Sequence, residues 1–165
     1  MTTENALSAD NQQERLKLAW WIVGFVDGEG CFSISIFKNK TMSSGWQVMP
    51  EFVITQAESS LSSLVKVKKY FRCGHIFINK RYDNHTENLY RFCVRKREHL
   101  NDIIVPFFKT HPLLTAKKFS FEIFVKALKI INQGGHLKID GLTQINKIVG
   151  RKNKFKNPQR LYAGA

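Results

Sequence analysis

Two carboxylates, Asp27 and Glu29, are the residues with the clearest capacity for chemistry, because one glycine separates them at the end of an apolar run. They close the segment 22–30, which also carries glycines at positions 24 and 28. A helix that ends here leaves backbone carbonyls without partners beside the acid groups. Carboxylate and carbonyl oxygens are the ligands that a hard divalent cation prefers. The alternative is that the acids only solvate the end of a helix.

The charge of the chain indicates which partner would surround such a cation. Lys and Arg number 26 against 13 Asp and Glu, so the formal net charge is +13 over 165 residues. This excess is typical of proteins that bind a polyanion, either nucleic acid or an acidic membrane. No apolar stretch approaches the ~18 residues of a membrane span, and the polar start of the chain resembles no targeting peptide. A cation-binding acid pair in a basic protein suits an enzyme that cuts a phosphate backbone.

The hydrophobic pattern predicts the elements that must position these acids. We expect a disordered leader over residues 1–13, a domain over 14–150 and a basic tail over 151–165. The first helix should span residues 14–26, and a second should start at Ser59 or Ser60 and end at Gly74. Alternating segments predict strands over 32–37, 48–56, 75–80 and 89–95, and apolar stripes predict further helices over 98–108, 117–132 and 142–149.

The resulting order is α-β-β-α-β-β-α, followed by a further helix. Two hairpin pairs among helices favour an α+β fold, in which a four-stranded antiparallel sheet carries the helices on one face. The other face of the sheet would be polar, partly basic and open to a partner.

This pattern resembles the LAGLIDADG homing endonucleases. Residues 22–30 correspond to the motif that names the family, with Ile22 and Val23 for its first two letters and Glu29 for its second Asp. The resemblance runs from about residue 15 to residue 150 and includes the segments 52–56 and 113–118. It implies the αββαββα fold of that family, with a DNA-binding sheet.

The resemblance also implies a set of catalytic residues. Glu29 and the carbonyl of Gly28 would bind Mg²⁺ (or Mn²⁺), and water on the metal would attack the phosphodiester. Gln56 would hold water near the scissile phosphate. Lys117 would stabilise the pentavalent phosphate or tune that water, although the adjacent Lys118 leaves this assignment open by one position. The alternative is that each of these side chains is an ordinary polar residue of the surface.

One position departs from the family pattern, and the two acids differ in expected role. Some members carry a basic residue four positions after the glutamine, where this chain has Ser60. Arg95 or Lys96 is the candidate substitute. Of the two carboxylates, Glu29 is expected to bind metal and Asp27 to be structural.

The chain carries one copy of the motif, which in this family implies a homodimer. Gly24 and Gly28 would let two such helices cross closely, so that Glu29 meets its symmetry mate. The predicted dimer interface consists of Trp20, Gly24, Asp27 and Gly28. No small-molecule substrate is expected.

Double-stranded DNA should lie on the open face of the sheet, since a two-stranded ribbon fits the major groove. The apolar members of this face would touch thymine methyls, or would lie in the core if the alternation is shifted by one residue. The predicted DNA contacts are Ser33, Ser35, Phe37, Lys38, Asn39, Lys40, Gln47, Met49, Glu51, Val53, His75, Phe77, Asn79, Arg81 and Arg91.

These residues predict a site-specific, intron-encoded homing endonuclease that makes a double-strand break in a long, pseudo-palindromic DNA site. It would act inside a prokaryotic cell or an organelle. One alternative is a catalytically inactive LAGLIDADG protein, either an RNA-splicing maturase or a transcription regulator. Another is a basic ribosome-associated domain, which would explain the charge but not the acids at a glycine-stepped helix end.

Overall fold

A computed structural model of the chain describes residues 3–80 and 87–150, with side chains from residue 11 onward. The predicted DNA contact Arg81 and the basic tail predicted over 151–165 lie outside the described residues. The strands are β1 (Gly30–Lys38), β2 (Trp46–Ala57), β3 (His75–Asn79) and β4 (Leu89–Val94). They form one antiparallel sheet in the order β1-β2-β4-β3, which confirms the predicted sheet.

The helices pack on one face of this sheet, as the α+β prediction requires. They are α1 (Thr3–Glu29), α2 (Leu61–Phe71), α3 (Arg97–His99), α4 (Val105–Thr110), α5 (Lys117–Asn132) and α6 (Ile139–Val149), with a π-helical stretch at Leu100–Ile104 and 3-10 turns at Glu58–Ser60 and Gly135–Leu137. The stretch from α3 to α4 replaces the single helix predicted over 98–108. Within the described residues, no helix combines the length and apolarity needed to cross a bilayer.

The first helix is longer at both ends than its apolar pattern predicted. It begins at Thr3, so residues 3–13 are helical where the sequence predicted a disordered leader, and it continues past Val26 to Glu29. The segment 3–13 contains neither proline nor glycine. Because each added residue costs little once a helix is nucleated, the packed apolar part can propagate into this polar segment.

Aromatic rings fill the space between the sheet and the helices. Phe52 of β2 is fully buried, and its ring centroid lies 5.0 Å from that of Phe32 and 5.6 Å from that of Phe108. Phe92 of β4 is also fully buried and faces Phe52 at 6.2 Å. Rings of this size bury large apolar areas, so they fix the helix layer firmly against the inner face.

Gly30 makes an abrupt junction between α1 and β1. A Cβ at this buried position would lie 2.5 Å from Cγ1 of Val26 and 2.9 Å from its carbonyl oxygen. Any side chain would therefore push the strand away from the last helical turn. Glycine allows the strand to leave the helix without a loop, which places Glu29 directly beside the sheet.

Asp27 connects the end of α1 to the loop that precedes α5. Its carboxylate accepts hydrogen bonds from the backbone N–H of Leu114 at 2.8 Å and of Thr115 at 3.3 Å, and from the Thr115 hydroxyl at 2.8 Å. Partial burial alone would raise the pKa of Asp27, but these hydrogen bonds and the charge of Lys117 outweigh it, so the pKa lies below 3.8. The contacts support the structural role predicted for Asp27.

We expect Asp27→Asn to lower the free energy of unfolding by about 1 kcal/mol at neutral pH, since it removes charge-assisted hydrogen bonds at a partly exposed site. Because the folded-state pKa is depressed, the ionised group stabilises the fold above its unfolded value of 3.8 and loses this effect as pH falls through the lower, folded value. Urea denaturation at several pH values should show that the difference in free energy of unfolding between the unmodified chain and Asp27→Asn shrinks below pH ~4. Asp102→Asn, at an exposed carboxylate, is the control; an equal loss there would contradict the assignment.

Candidate active site

Three of the predicted catalytic groups meet at the carboxyl end of α1. Lys117 is the first residue of α5, and its Nζ donates a hydrogen bond to the carbonyl oxygen of Gly28 at 3.0 Å. Glu29, the next residue, is exposed, and no group in the described part of the chain hydrogen-bonds or pairs with its carboxylate. The site therefore offers one solvent-facing carboxylate beside a carbonyl that already holds a cationic group.

Strand register brings Gln56 to the same end of the molecule. Gly30 pairs with Ile54, so Gln56 lies two residues further along β2, beyond the start of β1 and level with the last turn of α1. Its side chain is half-buried, and the residue pairs with Tyr90 of β4. This position suits an amide that orients water at the site.

The structure separates the two adjacent lysines. Lys117 points to Gly28, whereas Lys118 is exposed and lines a different cleft with Phe108 and Pro112. Neighbouring residues of a helix point about 100° apart, so only one of them can reach the end of α1. The geometry supports Lys117 as the active-site lysine. Arg95, a candidate substitute for the missing base at Ser60, is engaged elsewhere, since its guanidinium binds Glu51.

The oxygens at the end of α1 fit a hard divalent cation. A carboxylate and a backbone carbonyl are suitable ligands, and the carbonyl of Gly28 already accepts from an ammonium group. The carboxyl end of a helix also carries partial negative charge. Within the described residues, however, no group of three or more His, Cys, Asp and Glu side chains comes together. A divalent cation here would therefore complete its coordination with water and phosphate oxygens or with groups from a second copy of the chain.

The same helix presents an open face next to these oxygens. A Cβ at Gly24 or at Gly28 would meet nothing within 4 Å. Trp20, one turn earlier, is 47% exposed and lies edge-on to His111 with 5.3 Å between ring centroids. An exposed tryptophan beside two open glycine positions leaves room for another helix to approach, which the predicted interface requires.

The alternation predicted for the strands is correct. Phe32, Ile34, Phe52 and Ile54 are buried under the helices, so the residues between them face outward. Cross-strand pairs such as Ser33 with Glu51 and Phe77 with Arg91 define this outer face. The following predicted DNA contacts lie on it: Ser33, Ser35, Phe37, Gln47, Met49, Glu51, Val53, His75, Phe77, Asn79 and Arg91.

The other described candidates lie where β1 turns into β2. Asn39 donates a side-chain hydrogen bond to Gln47 at 2.8 Å, and Lys40 is exposed in the loop. Lys38, beyond the strand predicted over 32–37, is the last residue of β1, where it pairs with the buried Trp46 and lies with its ammonium 5.8 Å from that ring. It therefore belongs to the inner row of β1 rather than to the outer face.

Two outer-face candidates are covered rather than open. Glu51 and Val53 are each only 6% exposed. Glu51 accepts hydrogen bonds from Arg91 and from Arg95. Arg95 is not among the predicted DNA contacts. It directly follows β4, and the alternation of that strand places it on the same face as Arg91.

Known proteins match both the sequence and the fold. The probable intron-encoded endonuclease 3 of Neurospora crassa is 30% identical over 135 residues, which cover 81% of this chain but 24% of that relative. The crystal structure of the homing endonuclease I-TnaI superposes with a TM-score of 0.71 at 38% identity, covering 88% of this chain and 93% of the other. I-SmaMI, bound to an uncleaved DNA target in the presence of calcium ions, gives 0.74 at 30% identity and covers 88% and 48%.

The first curated relatives are therefore much longer proteins, of which this chain spans about a quarter. The sequence pattern of the LAGLIDADG endonuclease family matches residues 22–128, which is most of this chain. This span contains the acid pair, Gln56 and Lys117. On this match and the shared fold, the chain belongs to the LAGLIDADG endonuclease family.

Proposed function

We propose that this chain is a site-specific homing endonuclease that binds double-stranded DNA as a homodimer and breaks both strands of a long, pseudo-palindromic site. The observation that carries the proposal is the meeting of Glu29, the Gly28 carbonyl and Lys117 at the end of α1. The names of relatives such as the Neurospora crassa intron-encoded endonuclease support an intron-encoded origin.

Glu29 and the carbonyl of Gly28 are the groups that would hold Mg²⁺ or Mn²⁺. A divalent metal there lowers the pKa of bound water and stabilises negative charge on the leaving oxygen. Gln56, at the end of β2, has both a donor and an acceptor on its amide and would orient a water molecule toward the phosphate.

Lys117 has two roles in this proposal. In the present conformation its ammonium donates a hydrogen bond to the Gly28 carbonyl oxygen at 3.0 Å. A divalent cation on the same oxygen would repel the ammonium, so the two would not share the carbonyl. With DNA bound, the Lys117 side chain would instead donate to a phosphate oxygen, where it would offset the charge that develops during attack.

A second copy of the chain would complete the site. The open positions at Gly24 and Gly28 allow another α1 to approach, and the resulting two-fold axis would bring both copies of Glu29 together. The match to I-SmaMI covers only about half of that protein, which supports a second copy supplying the other half.

DNA would lie across the outer faces of the two sheets. Pairing two copies doubles the net charge of +13, so electrostatic attraction to phosphate should be strong and salt-dependent. The exposed side chains of the outer face, such as Phe77 and Asn79, would then lie against base edges in the major groove.

We expect Glu29→Gln to reduce magnesium-dependent cleavage at least about 100-fold while DNA affinity stays nearly unchanged, because an amide is a poor cation ligand. An assay on the DNA that flanks the gene's insertion site measures cleavage, and filter binding to the same DNA measures affinity. Glu122→Gln, at an exposed position of α5, is the matched control and should cleave normally. Cleavage that survives in Glu29→Gln would show that the metal binds elsewhere, and binding without cleavage by the unmodified chain would favour a maturase or regulator.

Exchanging each lysine for methionine separates the two adjacent positions. We expect Lys117→Met to slow single-turnover cleavage about 100-fold, because it removes a positive charge from the transition state. Lys118→Met should change the rate little, since its side chain lines another cleft. The reverse order of effects would move the assignment to Lys118.

We expect Gly24→Leu to convert the dimer into monomer without unfolding the chain. No atom lies within 4 Å of a Cβ at this position, so leucine fits within one copy and clashes only with a second helix. Sedimentation velocity measures the oligomeric state, and circular dichroism checks the fold. Ser62→Leu, on the exposed side of α2, controls for added surface hydrophobicity. A variant that remains dimeric would place the interface on another surface.

A further inference from the structure

Glu51, Arg91 and Arg95 form a charged cluster in the middle of the outer face. Nη2 of Arg91 donates to Oε1 of Glu51 at 2.8 Å, and Nε of Arg95 donates to Oε2. The side chain of Glu51 is 8% exposed, whereas those of Arg91 and Arg95 are 38% and 47% exposed. The acid is thus covered, and its two cationic partners remain at the surface.

A third donor completes the environment of the acid. Sγ of Cys93 donates to Oε2 of Glu51 at 3.2 Å. Burial, together with the neighbouring carboxylate, raises the pKa of Cys93 to about 12, so the thiol keeps its proton and acts as a donor. With both oxygens occupied, Glu51 is poorly placed to accept hydrogen bonds from bases.

Packing holds both guanidinium groups against the sheet. Arg91 lies opposite Thr55, so its side chain must cross the Val53–Cys93 pair to reach Glu51. Val53 and Cys93, which lie along this path, are both buried. The guanidinium carbon of Arg95 lies 6.0 Å from the centroid of Phe77. Side chains fixed in this way lose less conformational entropy when they bind a ligand.

Each arginine keeps N–H groups that Glu51 does not use. A guanidinium has five N–H donors, and arginine donating to O6 and N7 of guanine is the commonest specific contact in the major groove. Because both arginines bind one carboxylate, they are close enough to face the same or neighbouring base pairs, which are ~3.4 Å apart.

We propose that Glu51 is a positioning residue that holds Arg91 and Arg95 so that they read guanine at one or two neighbouring base pairs of the target. This inference rests on the proposed function, since it requires DNA on the outer face. If the cluster were purely structural, substitutions in it would change stability and the overall affinity for DNA. If it reads bases, they change which base is preferred at particular positions of the target.

The experiment selects bound sequences from a random double-stranded DNA library with the full-length chain and its variants. Arg91→Met and Arg95→Met identify the positions that depend on the arginines. We expect Glu51→Gln, and Glu51→Asp as a second variant with a shorter reach, to weaken the preference for guanine at those same positions about tenfold. Preferences at other positions should persist. Glu122→Gln, the same exchange at an exposed position of α5, should keep the guanine preference.

Modified DNA tests the contact directly. Replacing the selected guanine by 7-deazaguanine, which lacks the N7 acceptor, should weaken binding of the unmodified chain about tenfold and binding of the arginine variant hardly at all. If the chain selects a sequence but Glu51→Gln and Glu51→Asp leave its guanine preference unchanged, the positioning role is wrong. If the arginine-dependent positions show no guanine preference, the base-reading role is wrong. If the chain selects no sequence, the proposed function fails, and this inference fails with it.

Discussion

The hydrogen bonds that Asp27 accepts from the 114–115 backbone are the constraint on which the site depends. They join the end of α1 to the start of α5, which is remote in sequence, and so bring Lys117 within 3.0 Å of the Gly28 carbonyl. Gly30 adds a second constraint, because it lets β1 leave the helix directly. These two constraints place the Glu29 carboxylate, the Gly28 carbonyl and the Lys117 ammonium group together at the carboxyl end of α1.

Three acids in this basic chain differ in role because they differ in partners. Asp27 accepts from backbone N–H groups and serves as a connection between elements. Glu51 accepts from two arginines and a thiol and is almost fully covered. Glu29 has no partner within the described part of the chain and faces solvent. An unpaired carboxylate next to a helix carboxyl end is electrostatically unfavourable, so it favours the arrival of a cation.

The sheet and the span of α5 were predictable because they follow from local periodicity. Alternation placed Ser33 and Phe77 on the outer face, and the apolar stripe predicted helix α5 at its observed bounds. The start of α1 was not predictable, because a polar segment carries no periodic signal and is helical only as an extension of a packed helix. The choice between Lys117 and Lys118 depends on the rotation of α5 relative to α1. That rotation is a tertiary property, which no local pattern encodes.

The burial of Glu51 was not predictable for a related reason. The face of β2 on which Glu51 lies was predicted correctly. Its burial, however, depends on the Arg91 side chain reaching it across two neighbouring residues, and sequence spacing does not reveal that path.

In the proposed function, β2 would connect DNA recognition to cleavage. Glu51 and Gln56 lie on the same continuous strand, about 17 Å apart at the usual rise of ~3.3 Å per residue. A strand is stiff over this length, since β2 pairs with β1 as far as Ile54 and with β4 from Phe52 to Ala57. The distance between the arginine pair and the Gln56 amide is therefore set by the fold and not by a flexible loop. With base pairs ~3.4 Å apart, it corresponds to at most about five steps along the duplex. In the proposed complex, the guanine that Arg91 and Arg95 read would thereby determine which phosphate reaches the end of α1.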